Sequence, residues 1–443
     1  MNETAAPQLV HWLRRSAPYV SCHRGRSFVV AVGGEVLEDG SLPALVHDLA
    51  LLASLGVRLV LVPGARPQIE QRLRERGAEI RYAGGRRITD DAALAAVKEA
   101  VSLVRTEIEA LASIGLPNSP GGAGRMAVAS GNFVTARPVG VRDGIDHLHT
   151  GEVRRVDSSA IRARLDDQAL VLVTPIGYSP TGEVFNVYSE DVAIAVARAL
   201  QADKLLWLTE GEALQDAYGQ LIHELTVEEA RRLLEDATAA LPAERRRLLA
   251  GAVEACLGGV PRVHLLDRRT DGALLLELFT RDGVGTLLMD RPFESLRRAR
   301  PGDVGGIMQL IGPVEHEGML VRRSRDMLEA GIEAFTVIER EGAVIGCAAL
   351  LPAPEGGAAE IACFVVHPDY RGGERGDQLL RRLERQARGA GIPELFVLTT
   401  RTAHWFQERG FEPGRPEDLP GSRRALYDRS RNSRVYVKRL GRG

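Results

Sequence analysis

A chain of 443 residues is too long for one ordinary hydrophobic core, so two or three domains are expected. Its apolar fraction of 44% and charged fraction of 26% are globular values, and a formal net charge of −2 gives no reason to expect nucleic acid or an anionic membrane as a general partner. The positive charge is almost all arginine: Lys98, Lys204 and Lys438 are the only lysines, which limits any chemistry that needs one.

Glu3 and the lack of a long apolar run argue against a signal peptide or membrane span at the N-terminus. Leu9, Val10 and Leu13 predict a short amphipathic helix over Gln8–Ala17, stopped by Pro18, within an N-terminal arm of residues 1–23. The cysteines Cys22, Cys256, Cys347 and Cys363 are widely spaced, with no CxxC pair and no Cys/His ligand spacing. No metal site is expected, and a reduced cytoplasm is the default compartment.

From Ser27 the pattern is strand, glycine turn, helix, repeated. "SFVVAVGG" and "VRLVLVPG" read as buried strands around the helical "LPALVHDLALLASLG", and "ALVLVTPIG" and "KLLWLTEG" repeat the strand signal. Such runs predict an α/β domain over 24–290, with a mainly parallel sheet covered by helices on both faces. "DRPFESLRRARPGDVGGI" breaks the rhythm, so a linker is placed at 291–300 and a second domain at 301–443. That domain predicts a helix near "DVGGIMQLIGP" and a hairpin "FTVIEREGAVIGCAALLP" turning at Glu341-Gly342. A strand "AEIACFVVHP", a glycine turn, a helix "DQLLRRLERQARG", a strand "ELFVLTT" and a helix "AHWFQERGF" follow.

The glycine turn, Arg371-Gly372-Gly373-Glu374-Arg375-Gly376, opens a helix with Leu379, Leu380 and Leu383 on one face. Free backbone N–H groups and a positive helix end suit a phosphate or pyrophosphate, and glycine lets the backbone approach it. No GxxxxGK[ST] and no second βαβ half accompany the turn. In this context the domain resembles the GCN5-related N-acetyltransferases, whose motif Q/R-x-x-G-x-G/A cradles the pyrophosphate of acetyl-CoA. Arg371, Glu374 and Gly376 stand at its positions, with Glu374 replacing the middle glycine. The resemblance implies acetyl-CoA as co-substrate, with no permanently bound cofactor. Arg371, Gly372, Gly373, Arg375 and Gly376 form the cradle, and the backbone around Phe364 and Val365 polarises the thioester carbonyl. Phe406 stands where many of these enzymes carry a tyrosine that protonates the leaving thiolate, so solvent, Thr399 or Thr400 must serve instead.

Longer stretches resemble the bacterial N-acetylglutamate synthases, an amino-acid-kinase-like domain followed by an acetyltransferase domain: "YVSCHRGRSFVVAVGGE", "GVRLVLVPGARPQI", "DGALLLELFTRDGVGT", "LVRRSRDMLE", "FVLTTRTAHWFQERGF" and "RSRNSRV". The family implies L-glutamate as acceptor, the first step of arginine biosynthesis, a cytoplasmic homohexamer and feedback by L-arginine. Ala31 occupies the place of a kinase lysine, and the helix "RRRLLAGAVEAC" contains none, so kinase architecture without kinase chemistry is expected.

A dicarboxylate acceptor calls for fixed arginines. Arg322 and Arg323 in "LVRRS", and Arg423, Arg431 and Arg434 in the basic C-terminal stretch, are the candidates; each alone also reads as a solvated surface residue. Glu360 is the candidate base for the α-amino group, or an exposed carboxylate at a strand end. Cys363 is read as a substrate contact in direct transfer rather than a nucleophile. His404 and Trp405 read as core positions ahead of acceptor-site ones. Within "HLLDRRTDGALLLELFTRDGVGT" the resemblance places an allosteric arginine site at His264, Glu277 and Gly283, with Tyr19 as a lid; Glu277 otherwise caps an internal network. Two alternatives stay open: acetylation of another amino acid, and a non-catalytic amino-acid sensor.

Overall fold

The computed structural model describes residues 14, 16–114, 126–211, 214–215, 219–236, 241–280, 283–290, 294–340, 342–371, 374–427 and 433–441. The chain forms two compact units, Met1–Pro292 and Phe293–Gly443.

In the first unit the all-apolar runs become strands buried on both faces. Ser27–Val32 and Arg58–Pro63 pair in parallel, with Phe28 opposite Leu59. Lys204–Thr209 flanks the first of these and Leu170–Leu172 the second. Among the described residues the sheet has eight strands, and its one antiparallel contact sets Arg262–Asp267 against Thr286–Met289. The pleat sends Val29, Val60 and Leu205 to one core and Phe28, Leu61 and Leu206 to the other, so helices cover both faces. This is the mainly parallel, helix-covered sheet that the sequence pattern predicts. The run "ALVLVTPIG" divides: Leu170–Leu172 joins the sheet, and Ile176–Tyr178 enters a small closed barrel with Val134–Pro138, Thr150–Val156 and Val184–Val187.

Pro18 does not stop the N-terminal helix. Residues 16–23 are helical, and Ser16 donates from Oγ to the Phe279 carbonyl while His23 Nε2 meets the Leu278 carbonyl at 2.9 Å. Proline removes only its own N–H, and these tertiary contacts hold the helix beyond it. Leu9, Val10 and Leu13 lie outside the described residues.

The second unit is a seven-stranded sheet in the order Glu294–Arg298, Phe335–Arg340, Ala343–Pro352, Ala358–Val366, Glu394–Thr399, Arg434–Arg439, Glu412–Gly414. Helix Val304–His316 covers one face through Val304, Ile307, Leu310 and Ile311. Helix Arg375–Gly389 covers the other through Leu379, Leu380, Leu383 and Ala387. The hairpin turns at Gly342, whose φ of 80° favours glycine.

The stretch expected as a linker is corrected. Glu294–Arg298 is an edge strand, antiparallel to Phe335–Arg340. Its basic composition imitated a loop, but Arg297 is gripped by Asp303 at 2.7 and 2.9 Å, and Glu294 holds both Arg340 and Arg375. Among the described residues no helix is long and apolar enough to cross a membrane.

Candidate active site

Among the described residues the only parallel contact in the second sheet is between Ala358–Val366 and Glu394–Thr399, and it is short: the ladder runs from Ala358 opposite Glu394 to Ile361 opposite Val397. Beyond Ile361 the first strand pairs only with Ala343–Pro352. The cause lies in a bulge. Cys347 faces Val365 while Ala349 faces Ala362, so the strand Ala358–Val366 carries one extra residue. Cys363 takes up the irregularity at φ 49°, a left-handed conformation that costs a side-chain-bearing residue about 1–3 kcal/mol. The Cys347 thiol meets the Cys363 carbonyl at 3.4 Å across the bulge. The two parallel strands therefore part, and a cavity of about 1470 Å³ opens where the ladder fails.

Nine residues expected at the site line this cavity: Arg323, Glu360, Cys363, Phe364, Val365, Arg371, Gly376, Thr399 and Arg423. They come from four separate parts of the unit, brought together by the splayed strands. Phe364 and Val365 lie on the stretch that has lost its parallel partner. Thr399 shares a 2.7 Å hydrogen bond with the Thr402 hydroxyl and accepts from the Thr402 N–H at 3.0 Å. Arg371 donates from Nε to the Val366 carbonyl at 3.2 Å.

Two of the expected arginines in the wall differ in their partners. Arg323 is half-buried, and its buried Nε has no hydrogen-bond partner among the described residues. An unmatched buried guanidinium N–H is costly unless an anion meets it. Arg423 makes a bidentate pair with Glu360, Nε to Oε2 at 2.6 Å and Nη2 to Oε1 at 3.1 Å. Burial pushes the Cys363 thiol above its usual range, and the Arg323 guanidinium beside it offsets only part of this. Cys363 therefore stays a neutral thiol, unsuited to nucleophilic attack.

The remaining expected residues lie elsewhere. Arg322 is exposed and outside the cavity wall, as is Arg434, which stands opposite Thr399 in the ladder. Arg375 turns its guanidinium to Glu294, with contacts of 2.6 to 2.9 Å, and to the Tyr370 carbonyl, and is absent from the wall. Gly372, Gly373 and Arg431 lie outside the described residues. His404 is exposed rather than core. Trp405 is half-buried in the cavity wall, within an aromatic group that includes Phe364, Phe406 and Phe411. A periodic apolar pattern marks Trp405 as core, because it cannot show that the core has an opening there.

In the first unit Glu277 sits at the centre of a closed network. Its Oε1 meets His264 Nδ1 at 2.6 Å, and Oε2 accepts from the Val284 and Gly285 N–H groups at 2.8 and 3.0 Å. Burial pushes its carboxyl up, but His264 and the two N–H groups together hold it down at about 2. Gly283 has φ 63°, and a Cβ there would lie 2.4 Å from the Glu277 carboxylate. Tyr19 is half-buried on the segment that Ser16 and His23 tie to the Glu277 helix, Ala273–Phe279. His264 Nε2 in turn faces the buried Lys204 ammonium at 3.4 Å. Ala31 is buried within the strand Ser27–Val32 and brings no cation to its end.

Comparison with known proteins agrees with this division. The amino acid kinase family matches residues 26–267, and the acetyltransferase (GNAT) domain matches residues 331–413. An amino-acid acetyltransferase of Azotobacter vinelandii is 52% identical over 431 residues, covering 97% of this chain and 99% of that protein. One from Pseudomonas fluorescens is 51% identical over 434 residues, covering 98% and 100%. The crystal structure of N-acetylglutamate synthase from Neisseria gonorrhoeae complexed with coenzyme A and L-arginine matches with a TM-score of 0.86 at 39% identity, covering 98% of this chain and 99% of that one. The same organism's enzyme complexed with coenzyme A and N-acetyl-glutamate matches with a TM-score of 0.60 at 40% identity and the same coverage. With near-complete coverage and a family match in each of the two units, the chain belongs to the amino-acid acetyltransferases of the N-acetylglutamate synthase type.

Proposed function

We propose that the second unit transfers the acetyl group of acetyl-CoA to the α-amino group of L-glutamate, giving N-acetyl-L-glutamate and CoA. The observation that carries this is the shared cavity wall. One side offers an unpaired strand edge beside Arg371 and Gly376 for the thioester and its pyrophosphate. The wall also offers Arg323 and Arg423 for two carboxylates, with Glu360 on the strand Ala358–Val366 paired to Arg423.

The chemistry follows from these positions. Glu360, directly or through a water, takes a proton from the ammonium group. The freed amine attacks the thioester carbonyl carbon, and the oxygen that becomes negative is met by backbone N–H groups around Phe364 and Val365. The C–N bond forms, the C–S bond breaks, and the CoA thiolate takes a proton from water or from the hydroxyl of Thr399 or Thr400. Phe406 has no proton to give. Direct transfer suits a Cys363 thiol that burial keeps neutral.

The L-arginine and N-acetyl-glutamate bound to the gonococcal enzyme support an arginine-binding role and a glutamate acceptor. L-arginine binds the first unit around Tyr19, His264, Glu277 and Gly283 and inhibits transfer. The enzyme is a cytoplasmic homohexamer that opens arginine biosynthesis. The test is thiol release from acetyl-CoA with L-glutamate, L-aspartate and L-lysine as acceptors. Release with glutamate well above the other two is expected; a preference for another acceptor changes the substrate assignment. No release with any of them leaves the sensor reading.

A further inference from the structure

The Glu360–Arg423 pair joins the intended base to one of the intended acceptor ligands. Both oxygens of Glu360 accept from one edge of the guanidinium, and the side chains are only 11% and 23% exposed. Arg423 is held in place from behind: its short helix, Gly421–Ala425, is clasped by Glu355, which accepts from the Ser422 N–H and, at 2.8 Å, from the Ser422 hydroxyl. A guanidinium edge takes one carboxylate at a time in bidentate geometry. An arriving α-carboxylate has the same charge and shape as the Glu360 carboxylate and competes for the same edge.

Resting on the functional reading above, we propose that Arg423 is an acceptor-operated latch on the base. Without acceptor it grips Glu360 and keeps both oxygens occupied. The α-carboxylate of the acceptor takes over the guanidinium and frees Glu360. The ammonium nitrogen, two bonds from that carboxylate carbon, is then beside the released oxygen. An amine without an α-carboxylate cannot make the exchange, and neither can water. The pair therefore confines base activation to α-amino acids and protects the thioester from hydrolysis.

The proposal predicts an effect that a merely structural ion pair would not produce. Glu360→Gln removes the competitor for Arg423. Calorimetry on the full chain with CoA present should show L-glutamate binding tightened roughly three- to tenfold while turnover falls. Weaker or unchanged binding overturns the latch. A second variant reads the same device from the other side. The wild type should discriminate between L-glutamate and 4-aminobutyrate, which lacks the α-carboxylate, mainly in kcat. In Arg423→Gln the base is free with either acceptor, so the kcat ratio should collapse towards unity while KM for glutamate rises. A ratio that stays at its wild-type value overturns the latch. If the wild type transfers no acetyl group to L-glutamate, the functional reading fails first and the latch with it; transfer with these outcomes reversed removes the latch alone.

Discussion

Gly376 lies flat against Trp405: a Cβ at Gly376 would come within 2.8 Å of the indole. Gly376 is the second residue of the helix Arg375–Gly389, and both residues line the cavity. Arg409 stacks over the indole, 4.0 Å from the Trp405 ring centre, and is itself fixed by Asp377 at 2.7 and 3.0 Å. The indole therefore cannot retreat without disturbing an ion pair. Gly376→Val should raise KM for acetyl-CoA by about tenfold or more, because a displaced cavity wall and a blocked helix end both oppose the cofactor. KM for L-glutamate should change little. Unaltered acetyl-CoA dependence in steady-state kinetics would move the pyrophosphate site elsewhere.

Neighbouring arginines separate the acceptor site from the surface. Arg323 presents an unmatched buried Nε to the cavity, whereas Arg322 is exposed outside it. Arg323→Ala should weaken L-glutamate by roughly 2–5 kcal/mol, as expected for removing one partner of a buried charge pair. Arg322→Ala should stay within about 0.5 kcal/mol, the range of an ordinary surface substitution. Glutamate titrations of the two variants check this, and equal effects would dissolve the distinction.

The mainly parallel sheet of the first unit was legible because buried parallel strands leave continuous apolar runs. The strand Ala358–Val366 before the glycine turn was legible for the same local reason. The Glu360–Arg423 pair was not, since 63 residues separate its members and no periodicity links them. Arg322 and Arg323 are adjacent and chemically identical, so only the path of the backbone decides which one faces the cavity. The linker was misplaced because the cross-strand pairing of Arg297 with Glu339 is a tertiary fact that composition does not record.

Cys363 tests the route of transfer. Burial raises its thiol, and its φ of 49° serves the bulge. Cys363→Ala should keep acetyl transfer, with intersecting rather than parallel double-reciprocal lines when both substrates are varied. Cys363→Gly should tolerate the left-handed backbone better and be the more stable of the two by about 1 kcal/mol in denaturant titrations. Loss of transfer in both variants with a retained fold would give the thiol a chemical role.

The N-terminal segment is tied to the helix that carries Glu277. Ser16 and His23 bind the carbonyls of Phe279 and Leu278, at the end of the helix that carries Glu277. A chain beginning at Arg24 should lose both ties. Light scattering should show smaller particles than the full chain, and L-arginine should inhibit it less. A truncated chain of unaltered assembly mass would exclude the segment as an assembly element.

Glu277 decides whether the first unit senses arginine or merely caps its own loop. The carboxylate is held at about 2, below its ordinary value of 4.5, by His264 and the Val284 and Gly285 N–H groups working against burial. A depressed folded-state value means that the ionised form stabilises the fold above the ordinary carboxylate range. That contribution is lost as pH falls from about 5 towards 2 and amounts to roughly 3 kcal/mol. Glu277→Gln should flatten the loss of stability over that acid window in chemical denaturation. The same variant answers the functional question at neutral pH, at a temperature where it remains folded. If the network only secures the Gly283 turn, Glu277→Gln lowers stability but leaves inhibition by L-arginine intact. If the carboxylate pairs with a guanidinium, as the regulatory reading requires, acetyl transfer persists and arginine sensitivity drops by about tenfold or more. Because the two candidate sites are built from residues of different units, inhibition would have to come from a coupled equilibrium between two states of the protein. By the same coupling, a saturating CoA concentration should shift the L-arginine affinity of the wild type and leave that of Glu277→Gln unmoved; calorimetry with and without CoA reads both, and an identical shift in the variant would place the arginine contact on other residues.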